Sequence, residues 1–189
     1  MLVRGYQSWW VWGVRACIGL FFGLLELFVP APTLHLAVIL YGAFIKLDSL
    51  LSIIVAAYWL RTPAAMPLLA AGVIGVLAGV FALIWPTVDI DTLSTTLGMA
   101  AIVRGGLEVV HVARATTVSG GSKFAAVAAL LIAAYGVVIL LGPRLGLHLL
   151  VMAFAVYATA AGVCYFYTAI RLRSIDRAEA EVGSQPQIT

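Results

Sequence analysis

The sequence predicts an all-α membrane protein of six transmembrane helices, built as three parallel two-helix hairpin repeats that close into a pseudo-threefold bundle. Three observations predict it. Of the 189 residues, 63% are hydrophobic and only 10% charged, and the mean hydropathy is +1.10, well outside the range of a soluble domain. Thr62 to Val88, Phe124 to Pro143 and Leu145 to Ile170 contain no Asp, Glu, Lys or Arg, and each supplies the roughly 20 apolar residues a spanning helix needs. Pro30, Pro86 and Pro143, at intervals of 56 and 57 residues, each close an apolar run and follow a glycine placed seven residues earlier (Gly23, Gly79, Gly136). Such fixed-period self-similarity marks a repeat architecture.

The first repeat, about 10–60, pairs a span at Trp10 to Val29 with one at Leu34 to Trp59, joined by a turn at Pro30. The second, about 65–114, turns at Pro86, and its second span is Leu93 to Ala113. The third, about 124–171, turns at Pro143. The spans at 10–29, 34–59 and 93–113 carry charges, but each occupies the place of a charge-free span in another copy. Small residues also recur in register: Gly42, Gly98 and Ala155 lie twelve residues past the proline, and Ser49, Gly105 and Gly162 nineteen past it. Gly19 with Gly23 and Gly75 with Gly79 form GxxxG pairs, which with Gly136 are read as helix-packing positions, since helices in lipid associate through small residues. The segment from Ala113 to Lys123 reads as a flexible linker. Residues 1–173 form the six-helix domain, and 174–189 a polar, disordered cytoplasmic tail. The apolar N-terminal run is read as a retained first helix rather than a cleaved signal, because its removal would leave the second helix without its partner.

Orientation follows the positive charges. Arg4, Arg61, Arg114, Lys123, Arg171, Arg173 and Arg177 fall on the side of the termini, against Arg144 alone on the other, which also holds Asp89 and Asp91. Both termini are therefore expected in the cytoplasm and the three turns outside. Tyr6, Trp9, Trp10, Trp12, Tyr58 and Trp59 form an aromatic belt at the cytoplasmic interface, and Trp85 marks the opposite one. The net charge of +3 reflects this topology and implies no nucleic-acid partner. The expected partners are the lipid bilayer and either further copies of the chain or another membrane protein.

Five charges lie inside the spans. If the chain turns just after each proline, Arg15, Lys46, Asp48, Arg104 and Glu108 sit roughly 18 to 24 Å below the outer face, at one depth in the cytoplasmic half. Charges in hydrocarbon must pair or meet water, so these should face the bundle interior. Asp48 and Arg104 are each eighteen residues past their proline, which puts them at equal height on neighbouring second helices; in the third repeat that position is Ala161. Arg104 and Glu108 are i, i+4 neighbours. Lys46 and Asp48, two apart, point about 200° from each other, so Lys46 needs another partner or must snorkel. Two readings stand, an ion-pair network that fixes helix register and a relay or solute site. Glu26, one turn before Pro30, has no charged equivalent in the other repeats, and with His35 across the turn it forms a candidate acid sensor. His111 and His148 read as interfacial residues.

No P-loop, GxGxxG, HExxH or CxxC occurs, and no Ser-His-Asp set can be argued from spacing, so no enzyme is expected. Three scattered histidines and two cysteines inside spans, Cys17 and Cys164, show no metal-ligand spacing and no disulfide framework, so no metal and no cofactor are expected.

The triple two-helix unit, with its G-x6-P near the end of the first helix and runs such as Arg104, Gly105, Gly106, Leu107, Glu108 in the second, resembles the HdeD family of bacterial acid-resistance membrane proteins over residues 10–170. The resemblance implies a six-helix protein of the inner membrane that serves acid or stress tolerance, with no catalytic residue to carry over. The third repeat departs from the others in having no charge in its second helix over the span. Three functions stand from the sequence: a non-enzymatic protein acting through assembly or partner binding, a small proton or solute channel or transporter, and an accessory subunit of a larger complex.

Overall fold

Each apolar run folds as one helix, because in hydrocarbon every backbone N–H and C=O must find its partner within the segment. The computed structural model describes residues 9–29, 33–85, 89–119, 123–141 and 147–184. It contains α1 (Trp9–Phe28), α2 (Leu34–Tyr58), α3 (Ala65–Ile84), α4 (Ile90–Ser119), α5 (Lys123–Leu140) and α6 (Leu147–Ser184), and no strand among the described residues. All six are long and apolar enough to cross a membrane. The three turn prolines, Pro30, Pro86 and Pro143, lie outside the described residues, as do Arg4, Tyr6 and Arg144.

Polarity is distributed as lipid demands. Phe21, Phe28, Leu77, Leu130 and Val156 are more than half exposed, while Arg15, Glu26, Asp48, Ser49, Ser52, Arg104 and Glu108 are buried. An apolar exterior around polar groups is the arrangement expected of spanning helices.

The tightest pairings do not join the two helices of one repeat. They run between α6 and α1, α2 and α3, and α4 and α5, with looser contact across each hairpin. Small residues explain the choice. A Cβ added to Gly23 would lie 3.0 Å from the Ala155 carbonyl oxygen, one on Gly79 2.9 Å from that of Gly42, and one on Gly136 2.9 Å from that of Gly98. The glycine seven residues before each proline thus meets the small residue twelve past a proline, three times in the same register. One turn further along, Gly19 backs onto Gly162 and Gly75 onto Ser49. Backbones this close gain dispersion contacts that lipid tails do not offer.

Two segments differ from the sequence reading. The linker expected over 113–123 is largely helical, because α4 continues to Ser119. The tail expected to be disordered after Arg173 is helical as far as Ser184. That stretch contains the run Arg177, Ala178, Glu179, Ala180, Glu181, all strong helix formers, and it extends a helix already nucleated within the bundle. Helix starts are capped where they emerge from the turns: the Thr33 hydroxyl accepts from the Leu36 amide at 3.3 Å, and Asp89 Oδ2 from the Thr92 amide at 2.9 Å. Bonds from the Thr92 amide and hydroxyl hold the exposed Asp89 carboxyl below the usual aspartate range.

Candidate functional site

The buried stripe of α1 runs Val11, Trp12, Arg15, Ala16, Gly19, Phe22, Gly23, Glu26, the i, i+3, i+4, i+7 spacing of one helix face. Arg15 and Glu26 therefore both point inward, three turns apart, about 16 Å along the axis at 1.5 Å per residue. They define two layers of the interior, one nearer the termini and one nearer the turns.

In the first layer, Arg15 makes a two-pronged contact with Asp48 of α2, Nε to Oδ1 at 2.7 Å and Nη2 to Oδ2 at 3.1 Å. The same Nη2 reaches both carboxylate oxygens of Glu108 on α4 at 3.3 Å and donates to the Tyr165 hydroxyl of α6 at 2.8 Å. Arg104 Nη2 bonds Asp48 Oδ2, and also Glu108 Oε1 at 3.2 Å. Two guanidiniums and two carboxylates from three helices thus form one closed cluster of zero formal charge, each side chain at most 4% exposed. The planar fork of arginine suits this bridging. Trp12 and Tyr165 cover the Arg15 guanidinium, with ring centroids 5.0 and 4.2 Å from its carbon. The charges cancel but the donors do not, since Arg15 Nη1 and Arg104 Nε have no hydrogen-bond partner among the described residues.

The repeat register accounts for the layer. Positions 48, 104 and 161 hold Asp, Arg and Ala; positions 52, 108 and 165, one turn on, hold Ser, Glu and Tyr; positions 15, 71 and 128 hold Arg, Ala and Ala. All nine are buried. Equivalent interior places are filled differently in each copy so that the signs cancel. Tyr165 was not singled out from the sequence; its place four residues past Ala161, matching Glu108, is the signal that finds it.

Lys46 stays outside the cluster. It is half-buried at the contact of α2 with α3, where its backbone nitrogen faces Gly79, because two residues of helix turn it away from Asp48. His111, expected at the interface, is buried instead, its Nδ1 donating to the Ala64 carbonyl at 2.7 Å and its ring edge-on to Trp59. His35 and His148 are exposed. Cys17 is exposed and Cys164 buried, both unbridged.

The second layer surrounds Glu26, which is 0% exposed. Its side chain lines a cavity of about 60 Å³ at the turn end of the bundle, together with Val38, Tyr41, Ser94, Tyr135 and Phe154 among others. Between the layers lies an aromatic slab. Tyr41 meets Tyr135 and Phe154 at 5.7 and 5.6 Å between ring centroids, Phe44 meets Phe154 and Tyr157 at 5.4 and 5.9 Å, and Tyr135 stacks on Tyr157 at 4.8 Å. Among the described residues no group of His, Cys, Asp and Glu could hold a metal ion.

Residues 70–141, from α3 into the end of α5, match the model of a family described as a short repeat of unknown function (DUF308). No curated protein and no solved structure matches the chain. The chain is a multi-pass membrane protein of six apolar helices that is similar, over residues 70–141, to that short repeat.

Proposed function

We propose that this chain is a non-enzymatic protein of the bacterial inner membrane, with both termini cytoplasmic, that supports acid or stress tolerance by assembling in the bilayer with copies of itself or with another membrane protein. The observation that carries the reading is the closed, neutral cluster of Arg15, Asp48, Arg104 and Glu108. A relay has to hand a proton or ion onward through polar groups, whereas the charges of these four groups neutralise one another, and aromatic rings separate them from the Glu26 cavity. A buried ion cluster is a poor source of net stability but a strong selector of register. The acid-tolerance element rests on the resemblance to the HdeD family, and the short-repeat match is in keeping with it. The positive charges at Arg61, Arg114, Arg171, Arg173 and Arg177 support the orientation.

The test is substitution of Asp48 and Arg104 in protein reconstituted into liposomes. A register-fixing cluster loses thermal stability in Asp48→Asn and Arg104→Gln and recovers part of it in the double swap Asp48→Arg with Arg104→Asp. If proton flux above that of empty liposomes is present in the wild type and vanishes in either single variant with folding intact, the reading gives way to a channel or transporter. The Glu26 cavity is the observation that favours that second reading. Native purification in mild detergent tests assembly: migration with a second subunit or as an oligomer supports it, and a lone monomer counts against it.

A further inference from the structure

The close helix pairing occurs three times, and one of its members is out of keeping with lipid. Lys46 packs on Gly79, and the equivalent places in the other repeats hold Ile102, which packs on Gly136, and Thr159, which packs on Gly23. All three are half-buried, so the fold is satisfied there by an uncharged side chain and does not call for a lysine. Lys46 is also the middle residue of the 25-residue α2, about 18 Å from either end at 1.5 Å per residue. Its four-carbon stem falls short of both ends.

A cation in hydrocarbon must pair or meet water. Lys46 makes no hydrogen bond or ion pair among the described residues, and all eight acids of the chain are among those residues. Glu26, Asp48 and Glu108 lie within the spans and are buried. The others lie at the start of α4 or near the end of α6. A second copy of the chain therefore offers no exposed carboxylate at the depth of Lys46. Beside it on α2, Leu47 and Leu50 are each 42% exposed, so the charge stands in an otherwise apolar face.

From this placement we infer that the α2–α3 face around Lys46 docks a spanning helix of another membrane protein, one that carries an aspartate or glutamate at mid-membrane to pair with Lys46. The inference rests on the assembly reading and narrows it, since it assigns this face to a different protein and not to a second copy.

The experiment places the full chain in phosphatidylcholine vesicles with a labelled model helix of about 21 leucine and alanine residues, carrying one central Glu or, in the control, one central Gln. Fluorescence energy transfer from chain to model helix reads association, and transfer between differently labelled copies of the chain reads self-assembly. The wild type is expected to associate saturably with the Glu helix, at least about tenfold more tightly than with the Gln helix. Lys46→Ile, which installs the residue of the second repeat, is expected to erase that preference. Equal association of the two helices would show a lysine that reaches water at an interface and would overturn the inference, as would a preference undiminished in folded Lys46→Ile. Self-assembly that vanishes in Lys46→Ile would give the face to a second copy and overturn it too. Loss of the Glu preference strikes the inference alone, whereas a lone monomer on native purification strikes the assembly reading, so the two failures are told apart. Should Lys46→Ile fail to fold, the contrast between the two helices on the wild type decides by itself.

Discussion

The charge layer and the cavity layer lie on the same inward stripe of α1, three helical turns apart, yet they treat burial in opposite ways. Around Arg15 four charged groups consume one another and leave no net charge. Around Glu26 a single carboxylate shares its layer with hydroxyls, aromatic rings and empty volume. The pseudo-equivalent positions are as buried in one layer as in the other. What differs is whether the copies supply complementary groups. Complementary groups make a lock, and a group present in one copy alone makes a local feature that the other copies do not share.

The sharpest way to break this contrast is to remove one partner from the lock. Asp48→Ala leaves two buried guanidiniums facing one carboxylate, and a cost of about 3–5 kcal/mol is expected, read as a large fall in melting temperature in nanodiscs. A change within experimental error would mean that the cluster does not hold the bundle together. Next come the close helix pairs that position both layers. Gly23→Ala brings a methyl group against Thr159 and the Ala155 carbonyl and should cost about 1–3 kcal/mol through overpacking. Gly13→Ala meets nothing within 4 Å and should be neutral or stabilising by up to ~1 kcal/mol, so the pair separates packing from helix propensity.

Tyr165→Phe removes the hydroxyl that accepts from Arg15 at 2.8 Å while keeping the ring over the guanidinium. About 1 kcal/mol is expected, well below the loss in Asp48→Ala, since the ion cluster survives. In the cavity layer Ser94→Ala trims a single hydroxyl from the lining, and its stability should shift by about 1 kcal/mol or less. A loss as large as that of Asp48→Ala would erase the distinction between the layers. The smallest effect belongs to neither. Asp89, whose carboxyl is held low by its bonds to Thr92, contributes its cap above the ordinary aspartate pKa and loses it as pH falls through the lowered value. The protection of the Thr92 amide, relative to its intrinsic exchange rate at each pH, should fall in acid, and that fall should disappear in Asp89→Asn, which stays uncharged throughout.

Much of this was readable without coordinates. Six helices follow from composition and from the period of 56 to 57 residues, because lipid leaves the backbone no other way to satisfy itself. The shared depth of Asp48, Arg104, Glu108 and Arg15 follows from helical rise along equivalent spans. Which helices touch did not follow. The glycines before each proline and the small residues after it were visible as two separate series, but that one series packs on the other, and that α6 returns to α1, depends on contacts between segments far apart in the chain.

The interior polar groups divide the same way. Local spacing excluded Lys46 from the face of Asp48, while the inclusion of Tyr165 and the burial of His111 required the neighbours that surround them. Glu26 is the clearest case. As a residue one turn from a proline it reads as interfacial, and only the convergence of residues from five helices encloses it in a cavity. Pattern along one chain settles what a helix is and which way each side chain faces, since those depend on the residue's own neighbours in sequence. Enclosure is a property of everything that comes to face it, and that is decided only when the six helices meet.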